Sequence, residues 1–108
     1  MDFLSFIKKC AAEGRVYWSY HANMRLGQRS ASAQMVLESV RDCEIIEDNP
    51  TDFPLPSCLC LGRDCNGDAL HYVIAADMQG CTIRFVTVYR PDPSRWDEEF
   101  RKRRGGIT

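Results

Sequence analysis

Three apolar runs separated by tight turns, at 57–62, 69–77 and 82–90, leave this chain few ways to fold. Each suits a strand, and the last is the richest in β-branched and aromatic residues. Asn66-Gly67 lies in the first gap, and an Asn-Gly pair tolerates the positive φ of a hairpin turn. Gln79-Gly80 marks the second turn. Parallel neighbours need a crossover of a dozen or more residues, and neither gap is that long. The three runs are therefore predicted to be consecutive antiparallel strands.

The flanking sequence changes period. Residues 2–13 read as a helix, with Phe3, Phe6, Ile7, Cys10 and Ala11 on one stripe and Gly14 as its stop. After an extended link at 15–18, Ser19 is a good N-cap for a helix of about two turns. A third helix is expected at 32–42, capped by Ser30 or Ser32, with Met35, Val36, Val40 and Cys43 at helical spacing. Residues 44–48 suit a short strand, whereas 49–56 hold three prolines and cannot be regular. Pro91 and Pro93 end the last strand. Ser94 and Asp97 then suggest a short capped helix whose Trp96 and Phe100 dock back on the sheet, and 101–108 is expected to fray. The expected class is α+β: N-terminal helices on an antiparallel meander of three to four strands, then a short C-terminal helix, all in one domain over 1–108.

Composition excludes several classes. With 44% hydrophobic and 27% charged residues the chain suits a globular domain rather than a disordered one. No apolar run approaches the roughly 20 residues of a membrane span, and the start has no signal-peptide pattern, so a cytoplasmic location is expected. The net charge of -1 gives no bulk argument for nucleic acid. Its distribution does: Glu38 to Asp52 is acidic, while Arg84, Arg90, Arg95 and the run 101–104 make the last third basic. Six cysteines in such a location are expected to be reduced. Cys58, Cys60 and Cys65 raise a metal site, but Cys58 and Cys60 lie in an apolar run and no second paired cluster follows. No disulfide, metal or cofactor is expected.

His21, Arg25 and Arg29 recur at i, i+4 and i+8, so one helix face would carry an imidazole and two guanidiniums. That face suits an anion, or is simply a solvated polar face. Tyr20, Met24 and Gly27 fall on another face that can pack. His71 lies in an apolar strand, either as a bonded core histidine or as a group titrating near neutrality in a cleft. Arg84 interrupts the last strand, which needs a partner or an edge position with a snorkelling stem. Tyr89 closes that strand. No phosphate loop, convincing Ser-His-Asp order or zinc helix is present.

Several segments together resemble a known family. They are Ser19-Tyr-His-Ala-x-x-Arg25 with Arg29 following, Ile45-Ile-Glu-Asp48, Pro54-x-Pro-Ser-Cys-x-x-x-Gly62, Leu70-His-Tyr-Val-Ile-Ala75, and Thr87-Val-Tyr-x-Pro-Asp-Pro93 followed by Trp96 and Phe100. In order and spacing, from about residue 15 to 104, they resemble the bacterial family called domain of unknown function 4258. That resemblance implies a RelE/barnase-like fold and kinship with ribonuclease toxins whose genes sit beside a small zinc-finger antitoxin, as in the MqsR–MqsA pair. By position, the family's polar motif residues are His21, Arg25, His71 and Tyr89, with Arg29 a looser match. Leu26-Gly27-Gln28 departs from the family's pattern of a methionine followed by charged residues.

Two functions of different class follow. The first is an endoribonuclease toxin cleaving RNA without metal, with His71 or His21 moving protons, Tyr89 orienting or donating, and Arg25, Arg29 and Arg84 holding substrate phosphate. The second is a non-catalytic domain binding protein or nucleic acid, in which a His/Arg network fastens helix to sheet. The first needs an open cleft and the second a covered cluster.

Overall fold

The computed structural model describes residues 2–28 and 32–104; Arg29, Ser30 and the end of the tail, 105–108, lie outside the described residues. Helices α1 (Phe3–Ala12), α2 (Tyr20–Gln28) and α3 (Ala33–Ser39) flank a short strand β1 (Val16–Trp18), and a 3-10 turn at Val40–Asp42 extends α3. Strands β2 (Glu44–Asn49), β3 (Ser57–Arg63), β4 (Ala69–Asp77) and β5 (Thr82–Tyr89) follow. The class is α+β. The three expected hairpin strands are consecutive antiparallel neighbours, in the sheet order β1-β5-β4-β3-β2.

The sheet has five strands, not three to four, and it is mixed. The link before Ser19 forms β1, which pairs parallel to β5 with Tyr17 opposite Arg84. No hairpin joins the two, so the turn argument that fixes the other strands has no hold on β1. It also places β5 inside the sheet, so Arg84 is not at an edge.

Alternation decides what each sheet face does. Cys58, Cys60, Tyr72, Ile74, Phe85 and Val88 point to the helices and join Ile7, Cys10, Ala22, Val36 and Val40 in the core. Fully burying a side chain such as Ile7 or Val36 contributes about 1.5–3 kcal/mol gross. The helix layer approaches closely over Gly62, where the Tyr72 hydroxyl meets Ser39 Oγ at 3.0 Å. Ser32 caps α3 by accepting from the Met35 amide at 3.0 Å. On α2 the packed residues are Ala22 and Leu26; Tyr20 and Met24, expected to pack, are exposed.

The expected C-terminal helix is absent among the described residues. Asp92 accepts from the Ser94 amide and hydroxyl, and Asp97 accepts from the Glu99 and Arg101 amides. These local bonds compete with helical ones. The segment folds instead into turns closed by a bridge between Trp96 and Arg103. Trp96 still docks on the sheet as expected, buried against His71 on the face away from the helices.

Candidate functional site

Ser19 starts the site. Its hydroxyl oxygen accepts from the Ala22 amide at 3.0 Å, and its hydroxyl donates to the Val86 carbonyl at 2.6 Å. One side chain thus caps α2 and ties it to β5. Arg25, about 9 Å further along the axis at 1.5 Å per residue, reaches the end of β5. There it lines an open cleft of about 310 Å³ with Tyr89, Arg90, Arg95 and Arg103. Asp92 and Trp96 complete the wall. The volume sits at the low end of ordinary ligand sites, about 300–1,000 Å³.

The four guanidiniums are not equivalent. Arg90 Nη1 donates to Asp64 Oδ2 at 2.7 Å, and the Asp64 side chain is buried. Burial works to raise the Asp64 carboxyl, but bonds from Arg90 and from the Asp68 and Asn66 amides outweigh it and hold it below the ordinary value. Arg103 forks onto Glu47 at 2.8 and 3.1 Å and lies over the Trp96 ring at 4.8 Å. These two are positioned and largely neutralised. Among the described residues, Arg25 and Arg95 have no carboxylate within 4.0 Å. Among the described residues Arg25 Nε donates to His21 Nε2, at 3.4 Å. Arg25 and Arg95 are therefore the cleft arginines outside an ion pair, and Asp92 on the same wall offsets part of their charge.

Behind the wall lies His71, wholly buried. Its Nε2 is 2.8 Å from the Phe100 carbonyl, which can only accept, so Nε2 carries a hydrogen. Burial lowers its pKa, against the opposing pull of that carbonyl, so the ring is neutral at pH 7. Nδ1 is then an acceptor, and Tyr89 Oη, 3.1 Å away, donates to it. Burial raises the Tyr89 pKa, with the charge of Arg103 opposing, so the phenol keeps its proton. The result is the hydroxyl of a cleft-lining tyrosine backed by a buried neutral imidazole, which Trp96 grips edge-on at 4.4 Å.

Of the residues expected to form the site, the fold brings together Arg25 and Tyr89, with His71 one bond behind. His21 is exposed beside Arg25 and does not line the cleft. Arg84 lies elsewhere, near the start of β5 beside Tyr17 and Ala75. Arg29 lies outside the described residues. Arg90, Arg95, Arg103 and Trp96 were missed as site residues. The signal for them was the basic C-terminal third, which names no position by itself.

The chain belongs to the family described as Domain of unknown function (DUF4258), whose model matches residues 18–90. No curated protein and no solved structure matches it. The matched span contains Arg25, His71, Tyr89 and Arg90; Arg95, Trp96 and Arg103 lie beyond it.

Proposed function

We propose that this member of the family is an endoribonuclease toxin that holds an RNA phosphate in the arginine cleft and cleaves beside it without metal. The observation that carries the reading is the convergence of guanidiniums from α2, the end of β5 and the C-terminal segment around one hydroxyl bonded to a buried imidazole. Arginine forks suit phosphate oxygens and the charge of a phosphorane. In the proposed step the RNA 2′-hydroxyl gives its proton to Tyr89 Oη as that oxygen passes its own to His71 Nδ1. The 2′-oxygen bonds to phosphorus, the 5′-oxygen leaves and takes a proton from water, and His71 later returns its proton through Tyr89 Oη to the hydroxide that water leaves. The products are a 2′,3′-cyclic phosphate and a 5′-hydroxyl. Helices packed on a mainly antiparallel sheet are what supports a RelE/barnase-like relationship within this proposal. A small zinc-finger antitoxin and a cytoplasmic location belong to the same proposal.

A second reading has its own observation. Both nitrogens of His71 are already bonded inside the protein, to Tyr89 and to the Phe100 carbonyl. In that reading His71 only fastens the C-terminal segment, and the cleft binds nucleic acid without chemistry.

Labelled RNA incubated with the protein in a chelator separates the two. Cleavage to cyclic-phosphate ends is expected, with a loss of about 10²–10⁴-fold in Tyr89→Phe, the range for one proton-transfer group. RNA binding without cleavage would establish the second reading, and neither binding nor cleavage would end both. Growth arrest on expression, relieved by a neighbouring gene, tests the toxin role.

A further inference from the structure

The face of the sheet away from the helices is covered over only part of its length. Tyr17, Arg84, Ala75 and Ser57 stand in one row across four strands, as the register shows. Val73 and Leu59 are opposite one another in the next row, and Tyr89, His71 and Leu61 form a third. The C-terminal segment packs on the third row through Trp96 and Phe100. Over the first two rows it leaves a concavity of about 310 Å³ lined by Leu55, Val73, Ala75, Arg84 and Val86. A second concavity adjoins it, sharing Leu55, Ala75 and Arg84 and adding Tyr17. At the rim Phe53 is 92% exposed, while Tyr17 is 62% and Val86 38% exposed. A contiguous apolar surface of this kind marks a contact, and aromatic and arginine side chains are what buried interface centres are rich in.

We propose that this face is an interface between two copies of the chain related by a two-fold axis. The charges argue for a second copy over another partner. The same concavity carries Arg84, which has no carboxylate within 4.0 Å among the described residues, and Asp52. Asp52 is held in place by the Ser57 hydroxyl, which donates to its Oδ2 at 2.5 Å. A partner of uniform charge would meet one of these two as a like charge. A two-fold axis passing between them would set each Arg84 against the other copy's Asp52, and a self-complementary patch is what such an interface requires. Phe53 is the protruding aromatic and the concavity beside it is the socket, so each copy supplies both halves. Arg84 and Tyr89 are five residues apart on β5, about 17 Å at 3.4 Å per residue. The dimer therefore leaves both arginine cleavage clefts open, and the inference is independent of the activity proposed for them.

Sedimentation equilibrium of the full chain, from micromolar to hundreds of micromolar, tests it. A reversible monomer–dimer equilibrium is expected. Phe53→Ser, Arg84→Asp and Asp52→Arg should each weaken it by about tenfold or more, equivalent to about 1.4 kcal/mol. The double variant Arg84→Asp/Asp52→Arg should recover most of the loss. Phe53 lies on an exposed loop, so Phe53→Ser should keep its circular dichroism and melting curve and remain a valid test if a charge variant folds poorly. A wild-type chain that stays monomeric throughout would overturn the proposal. So would a Phe53→Ser dimer of unchanged strength, or a double variant no better than its parents.

Discussion

Lowering the pH should destabilise this protein through His71, over a window set by two protonation states. In the unfolded chain an imidazole titrates near 6.5. In the fold, burial lowers the His71 pKa, against the opposing pull of the Phe100 carbonyl. The folded state therefore binds fewer protons than the unfolded state below pH 6.5, and stability rises with pH there. The contribution is fully present above 6.5 and is lost as pH falls from 6.5 toward the folded pKa. If folded His71 stays neutral, the ceiling is about 1.4 kcal/mol at pH 5.5 and about 2 kcal/mol at pH 5.0. Urea denaturation followed by tryptophan fluorescence suits the measurement, because Trp96 lies against His71 and Trp18 stacks on Phe85 at 4.4 Å.

The control is His71→Gln. Its amide can donate to the Phe100 carbonyl and accept from Tyr89, yet does not titrate in this range. The variant is expected to be less stable at pH 7.5, because its fit between Tyr89 and Trp96 is poorer. Its loss between pH 7.5 and 5.0 should nevertheless be smaller than the wild type's, by no more than that ceiling. Carboxylates held low, such as Asp64, are common to both proteins and cancel in the difference. Parallel stability-versus-pH curves for the two proteins would refute the assignment of a buried neutral imidazole.

Gly62→Ala should destabilise by about 1–3 kcal/mol, the range for overpacking. Its Cβ would land on the Tyr72 hydroxyl and 2.8 Å from Ser39 Oγ, and an unchanged melting temperature would contradict that packing. Arg25→Ala should leave stability within about 0.5 kcal/mol, since no carboxylate among the described residues depends on it. RNA affinity should fall by about tenfold, as a charge-assisted bond is worth roughly 1.5–3 kcal/mol; fluorescence anisotropy and thermal melting on one sample check both. Of six thiols, Cys65 and Cys81 should react quickly with an aromatic disulfide reagent, and the buried Cys10, Cys43, Cys58 and Cys60 only on unfolding. More than two fast thiols would show that the core opens in the native state.

What could be read from the sequence follows from how local each signal is. The hairpins β3–β4 and β4–β5 were legible because the turns that join them lie between them in the chain. So was the cap at Ser19, where hydroxyl and amide are three residues apart. β1 was not, because its partner residues lie 67 positions later and its pairing depends on tertiary assembly. On α2 the pattern put Tyr20, Met24 and Gly27 on the packing face, and the fold chose Ala22 and Leu26 instead. That choice follows from the tie between Ser19 and Val86, which no helical period contains. The site divides in the same way. Arg25, His71 and Tyr89 could be singled out as polar residues in ordered elements. Arg95 and Arg103 lie in a segment whose turns are built from side-chain bonds of Asp92 and Asp97, so the helical pattern around Trp96 gave the wrong geometry for them.

That segment joins the stability of the fold to its proposed chemistry. Residues 91–104 cover His71 with Trp96, accept its Nε2 hydrogen at Phe100, and bring Arg95 and Arg103 to the cleft. The covering is held from outside by Arg101 on Glu44 and Arg103 on Glu47, both carboxylates of the edge strand β2. Each is a partly exposed pair, screened by solvent and worth little alone. Their effect is to fix where the segment lies. If the segment lifted, water would reach His71, its desolvation would fall and its pKa would move back toward 6.5. In the same movement Tyr89 would lose the neutral acceptor behind it, and the cleft would lose one of its two guanidiniums outside an ion pair. The groups that make Tyr89 a polarised hydroxyl and those that would bind the phosphate therefore depend on a single piece of chain, so weakening the β2 contact of Arg101, which lies outside the cleft, with Glu44→Gln should lower RNA affinity in fluorescence anisotropy and shrink the His71 pH dependence of urea stability in parallel.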